Sequence, residues 1–224
     1  MGVILALETS TKNCSVALFK SGFLLNSKES NTETYIHAEQ LTVFILEVLE
    51  LSGIKFKEIK AVALSKGPGS YTGLRIGTSV AKGLCYALNI PLISISTLRA
   101  MAFGMAESKD SNIYCPMIDA RRMEVFSALF DKSNNEIRGV QADIVNKETY
   151  INFLNNKVLF FGDGAIKCKK MISHKNATFV EGIYPSAKNL GFLAQTKFLN
   201  KDFEDIAYFE PYYLKDFLVG KKSV

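Results

Sequence analysis

One order of apolar segments runs through this 224-residue chain twice, and few folds accommodate such a repeat. Val3–Glu8, Cys14–Lys20 and Phe23–Glu29 are apolar or alternating over strand lengths, parted by the polar Thr9–Asn13 and by Ser21–Gly22. They predict a three-stranded antiparallel meander. His37–Leu51 carries Leu41, Phe44, Ile45, Val48 and Leu49 at helical spacing and predicts a helix. Ile59–Leu64 predicts a strand buried on both faces. Thr72 to about Leu88 predicts a helix, Pro91–Ile95 a strand, and Ser96 or Thr97 the cap of a third helix. After the polar stretch Glu107–Asn112 the order restarts. Strands at Ile113–Ile118, Glu124–Phe130 and Glu136–Val140 precede a short helix at Lys147–Leu154 and a strand at Val158–Phe161. A short helix beyond the Gly162–Asp163–Gly164 turn, a strand at Ala177–Val180 and a helix at Ser186–Leu199 complete it. The pattern is βββαβαβα twice, an α/β architecture of two similar halves, 1–106 and 107–224, with right-handed crossovers onto each meander. The aromatic segment Tyr208–Leu214 reads as an ordered closing piece.

Between the fourth strand and the second helix lies Ser65-Lys66-Gly67-Pro68-Gly69-Ser70-Tyr71-Thr72-Gly73-Leu74-Arg75-Ile76-Gly77-Thr78. A glycine-rich turn feeding a helix N-terminus is a physical anion site, because free N–H groups and the helix dipole point the same way. The spacing argues otherwise here. Gly67-x-Gly69-x-x-x-Gly73 is one residue longer than GxGxxG, no GK[ST] follows, and Pro68 offers no N–H. Gly67, Pro68, Gly69, Ser70, Thr72 and Gly73 therefore read as a structural loop in which Ser70 and Thr72 cap the helix. Gly73, Gly77 and Ala81 recur every four residues. A mid-helix glycine costs roughly 1 kcal/mol relative to alanine, so something packs very close to this helix. Val43 and Leu46 fall outside the core stripe of the first helix and imply a second partner for it.

Other chemistry is thin. Cys14, Cys85, Cys115 and Cys168 are scattered, without CxxC, and predict buried thiols in a reducing compartment. The two histidines, His37 and His174, have no ligand-type partner near in sequence, so no metal site is expected. Net charge is a mild +5, consistent with a solvated basic surface or an RNA-associated protein. No apolar run is long enough to cross a membrane, and Met1–Leu7 lacks the features of a signal peptide, which predicts a cytoplasmic protein without membrane contact.

Two βββαβαβα halves resemble the RNase H-like pair of the actin, Hsp70 and sugar-kinase ATPases. The motifs go further. Leu7-Glu8-Thr9-Ser10, His37-Ala38-Glu39-Gln40-Leu41, the Lys66–Gly77 block, Ile118-Asp119-Ala120-Arg121-Arg122 with Glu124-Val125, and Pro211-Tyr212-Tyr213-Leu214 resemble the TsaB family. That family partners TsaD in bacterial threonylcarbamoyladenosine (t6A) tRNA modification. The resemblance implies a non-catalytic scaffold that heterodimerises with TsaD, recruits the ATPase TsaE, pairs with itself when alone and meets tRNA through the complex. TsaD holds a metal through HxxxH after its fifth strand; this chain has Thr97 and Met101 there. The family's docking helices correspond to 37–51 and 72–88, with His37, Val43, Leu46, Gly73, Gly77 and Ala81 as contact candidates. A vestigial nucleotide cleft would use Glu8, Thr9, Ser10, Asp119 and Arg121. The expected cofactor is none, with ATP and magnesium in that cleft left open. A stand-alone ATPase or phosphotransferase of this fold is the alternative reading, and a metallopeptidase a further one.

Overall fold

The computed structural model describes residues 2–32 and 34–215. The first half contains β1 (Val3–Glu8), β2 (Asn13–Lys20), β3 (Phe23–Asn31), α1 (His37–Ser52), β4 (Ile59–Gly67), α2 (Tyr71–Leu88), β5 (Leu92–Ser96) and α3 (Thr97–Ser108). The second contains β6 (Ile113–Asp119), β7 (Glu124–Phe130), β8 (Glu136–Ile144), β9 (Val158–Phe161), α4 (Ala165–Cys168), β10 (Ala177–Val180) and α5 (Leu190–Leu199). The two sheets have the same order, β3-β2-β1-β4-β5 and β8-β7-β6-β9-β10. In each, the first strand lies at the centre, antiparallel to the second and parallel to the fourth. The duplicated order predicted from the sequence is the observed topology.

The second half is the reduced copy. Where α1 stands in the first half, the second has only a 3-10 turn at Ile151–Phe153, shorter than the expected helix over Lys147–Leu154. Where α2 runs for 18 residues, α4 has 4. The expected helix at Ser186–Leu199 is a 3-10 turn, Ala187–Asn189, followed by α5. The α2 cap is Ser70, whose Oγ accepts from Gly73 N at 3.3 Å. Thr72, the other cap candidate, lies inside the first turn and is exposed.

Four apolar clusters hold these elements together, one of them packing Tyr150, Leu154, Ala165 and Cys168 on the outer face of the second sheet. Helices α1 and α2 cover one face of the first sheet, with Leu41, Phe44, Ile45 and Val48 from α1 and Ala81 and Cys85 from α2 on Leu5, Leu7, Val16 and Leu18. The opposite face, built on Ile4, Ala6, Ala61, Ala63, Ile93 and Ile95, is covered by Ala187, Leu190 and Ala194 of the second half. Conversely α3, the last helix of the first half, buries Leu98, Met101, Ala102 and Met105 against Tyr114, Ile118, Phe130 and Phe161 of the second sheet. Each half thus lends its final helix to the other's sheet. The rings of Phe103 and Phe192 stack where these two helices meet, 5.1 Å between centroids.

The four-residue glycine spacing of the 67–77 block is explained within the chain. A Cβ on Gly69 would stand 2.3 Å from the carbonyl oxygen of Ser10, one on Gly73 2.1 Å from that of Thr9, and one on Gly77 2.3 Å from Thr9 Oγ1. Helix α2 therefore rests directly on the β1–β2 turn, and only glycine permits that approach. Gly83, on the same helix, faces open space, with nothing within 4 Å of a built Cβ. Two alanine substitutions should therefore act in opposite directions. Gly73→Ala is expected to destabilise the chain by about 1–3 kcal/mol through overpacking. Gly83→Ala is expected to stabilise it by about 0.5–1 kcal/mol through helix propensity. Urea unfolding of both variants measures the pair.

Candidate functional site: the α1–α2 face and the cleft turns

The β1–β2 turn occupies the place of a phosphate hairpin, yet it is sealed. Glu8, Thr9, Ser10 and Thr11 are all buried under the start of α2. Ser70 N donates to Ser10 O at 2.6 Å, so the glycine loop and the turn are joined by backbone. Glu8 Oε1 accepts from Ser10 N and from Ser65 Oγ, each at 2.7 Å. Burial pushes the Glu8 carboxyl above its ordinary range, against the lowering effect of these hydrogen bonds. The turn presents almost no surface to a phosphate.

His37 lies in the same interior, not on the surface. Its Nε2 lies 2.7 Å from the carbonyl oxygen of Thr11, so this nitrogen carries the proton and donates. Burial pulls its pKa down, which keeps the ring neutral. The contact set read from the sequence is thereby divided. Gly73, Gly77 and Ala81 face inward onto Thr9 and the core, and His37 is bonded to Thr11; all four are buried within the chain. Val43 and Leu46 are 41% and 56% exposed. The outward small-residue pair on α2 is Ser79 and Gly83, flanked by Tyr86, which is 85% exposed. Tyr86 was not singled out from the sequence, although an aromatic residue next to the buried Cys85 was the available signal. Since α1 and α2 lie side by side on one sheet face, their outward stripes form one surface.

The glycine loop is also the anchor for the C-terminal segment. The Gly67–Pro68 peptide is cis. Tyr212 N donates to Lys66 O at 2.7 Å, and a Cβ on Gly67 would stand 2.6 Å from the Tyr212 carbonyl oxygen. Tyr213 packs on Tyr71 and accepts from Arg75 Nε at 3.4 Å. The closing segment expected at Tyr208–Leu214 is therefore a strap across the start of α2, with Phe209 buried in the first core.

In the second half, Arg121 and Arg122 form the exposed tip of the β6–β7 turn, both with left-handed φ, 72° and 47°. Asp119 is paired with Lys167 and accepts from Arg121 N at 2.8 Å. Glu8 and Asp119 each satisfy partners in their own half and do not form a carboxylate pair. The Gly162–Asp163–Gly164 turn is structural, since a Cβ on Gly162 would stand 2.2 Å from Met117 O. Between the halves, Asn13 Nδ2 donates to Pro185 O at 2.8 Å, Ala187 N donates to Ser15 Oγ at 3.1 Å, and Ser186 Oγ donates to Glu29 Oε2 at 2.6 Å. Partial burial raises the Glu29 carboxyl, but hydrogen bonds from Lys188 and Ser186 outweigh it and hold its pKa below the ordinary range.

The positions matching a metal-binding pair do not fit a metal. Thr97 and Met101 are buried, and Met101 is packed among Leu98, Tyr114, Ile118 and Phe161. A thioether in an apolar core is no ligand for a hard or borderline cation. Cys14, Cys85, Cys115 and Cys168 are free and buried, and burial pushes the thiols of Cys14 to about 12 and of Cys85 and Cys168 to about 11.

The Glu8 carboxyl carries a consequence for stability. Its folded pKa lies above the ordinary 4.5, so the folded chain retains a proton that the unfolded chain has released. Stability should therefore fall as pH rises from 4.5 toward the folded pKa, and stay at the lower level beyond it. Glu8→Gln retains an oxygen for Ser10 and Ser65. It is expected to flatten that slope and to be at least as stable as the wild type at pH 8. Thermal melts across the acid-to-neutral range provide the measurement, and a curve parallel to the wild type's would refute the assignment.

Residues 34–219 match the family model described as "TsaD: tRNA N6-adenosine threonylcarbamoyltransferase". The chain is 31% identical to the tRNA threonylcarbamoyladenosine biosynthesis protein TsaB of Haemophilus influenzae, across 98% of this chain and 96% of that protein. Against the TsaB of Escherichia coli the identity is 29%, covering 98% and 97%. The solved structure of YeaZ from Pseudomonas aeruginosa superposes with a TM-score of 0.85 at 25% identity, over 96% of this chain and all of that one. With its two sheets of one topology and helices exchanged between them, this chain belongs to the TsaB family of tRNA threonylcarbamoyladenosine biosynthesis proteins.

Proposed function

We propose that the chain is the non-catalytic scaffold subunit of the t6A machinery, docking a TsaD-related subunit through the joint outward face of α1 and α2. The observation that carries this is the outward face itself. Val43, Leu46 and Tyr86 expose apolar surface on two adjacent helices. Gly83, outward on α2 one turn before Tyr86, accepts a helix-propensity cost that nothing inside the chain explains. A small residue flanked by large apolar ones lets a second helix pair approach closely, and a partner with a similar first half supplies such a pair. When that partner is absent, a second copy of this chain covers the same face. Recruitment of TsaE and contact with tRNA then belong to the assembled complex, in the cytoplasm.

Non-catalytic status rests on the sealed Thr9–Ser10 turn and on the apolar burial of Thr97 and Met101. No ATP or metal is assigned to that cleft. No helix among the described residues is long and apolar enough to cross a membrane.

The test is Val43→Glu with Leu46→Glu. Both side chains are exposed, so the variant should melt within a few degrees of the wild type. It should lose at least tenfold in affinity for TsaD, read by titration calorimetry, and lose t6A formation in a reconstituted assay. Wild-type affinity in the double variant would sink the docking assignment. Micromolar ATP binding with turnover by this chain alone would favour the ATPase reading instead.

A further inference from the structure

Helix α2 has a neighbour on each flank. On one side, Ile76, Val80 and Leu84 pack into the core that α1 shares. On the other, the C-terminal strap runs alongside, where Lys82 Nζ donates to Ala207 O at 3.3 Å and Arg75 Nε to the Tyr213 hydroxyl. Helical geometry separates the two flanks. Arg75 and Lys82 lie two turns apart on one side, and 76, 80 and 84 form a stripe a quarter-turn or more around from them. The outward face therefore does not end at α2 but continues onto the strap.

Two tyrosines stand on this continuation. Tyr86 follows Lys82 by one turn on the same side of α2, and Tyr208, 84% exposed, follows the carbonyl that Lys82 holds. The backbone under Tyr208 is fixed. Asp205 Oδ1 accepts from Ala207 N at 2.8 Å and from Tyr208 N at 3.4 Å, and Asp205 O accepts from Phe209 N at 2.8 Å. Ile206 and Phe209, on either side of it in sequence, pack into the first core. Upstream, Glu204 N donates to Leu92 O at 2.9 Å. An aromatic ring held out from an ordered backbone meets a partner with little ordering cost, and tyrosine is among the residues that dominate binding energy at interfaces. Charge is one-sided at the same spot. Helix α2 carries no aspartate or glutamate, and Lys82 makes no ion pair among the described residues. Asp205 is turned to its own backbone, and Glu210 acts on Arg75, two turns from Lys82.

We infer that Tyr86, Lys82 and Tyr208 form a clasp for a carboxylate side chain of the partner that covers the α1–α2 face, an acidic segment of the TsaD-related subunit. The Lys82 ammonium keeps N–H donors beyond the one given to Ala207 O, and the phenol hydroxyls add two more. An aspartate or glutamate is matched to that set in charge and in hydrogen bonding. Once the partner is seated, the two rings exclude water from the pair, which strengthens it. The clasp presupposes the scaffold reading and adds to it: the strap is a third rib of the docking surface, beside the two helices.

The full chain is titrated calorimetrically with TsaD at low and at high salt. Tyr208→Ala should lower the affinity at least tenfold. Lys82→Gln, which keeps a donor for Ala207 O, should weaken binding at low salt and reduce its salt dependence. Circular dichroism melts establish that both variants are folded. If Val43→Glu with Leu46→Glu loses binding while folded Tyr208→Ala binds like the wild type, the clasp is overturned and the scaffold reading stands. Absence of binding by the wild-type chain overturns the clasp and the scaffold together. A tenfold loss in Tyr208→Ala with unchanged salt dependence in Lys82→Gln overturns the carboxylate as the group held.

Discussion

The contact on which the rest of this molecule depends is backbone against backbone: the first two turns of α2 lying on the β1–β2 turn. Gly69, Gly73 and Gly77 bring the helix so near Thr9 and Ser10 that a methyl group at any of them would collide. That approach fixes the angle of α2 on the sheet and buries Glu8 beneath it. It places Ser79, Gly83 and Tyr86 on the outside, next to Val43 and Leu46. A loop that in another chain would cradle a phosphate here holds a helix down. The same stretch anchors the Tyr212 strap, so one glycine-rich segment organises the first sheet, the outward face and the C-terminal segment together.

Much of the fold was legible because its signals are local. Apolar runs of strand length, helical spacing in His37–Leu51 and the restart after residue 112 identified two copies of one topology, and the strand order agrees. Boundaries moved by one to four residues, as they do where a strand continues into a polar edge such as Glu136–Ile144. The helical weakness of the second half was less legible. Lys147–Leu154 has helix-compatible residues, but Thr149 Oγ1 and Asn146 Oδ1 bond to nearby backbone and compete with a helix. Exchange of the last helices between sheets leaves no trace in periodicity, because an apolar stripe does not say which sheet it meets.

The site was half legible for the same reason. That Gly73, Gly77 and Ala81 require a close neighbour was readable from their spacing; that the neighbour is Thr9, more than sixty residues earlier, was not. Val43 and Leu46 stood out because they break a stripe whose buried members are contiguous. His37 looked like a surface residue at a helix start, and only the fold shows Thr11 O beside it.

The exchange of final helices has a consequence for the chain as a genetic object. Residues 97–108 complete the second sheet, and 187–199 complete the first. Neither half, cut from the other, would possess the lid of its own interior; each would expose the apolar sheet face that its counterpart now covers. A gene split between the two halves would therefore yield two fragments, each lacking the helix that covers one face of its own sheet.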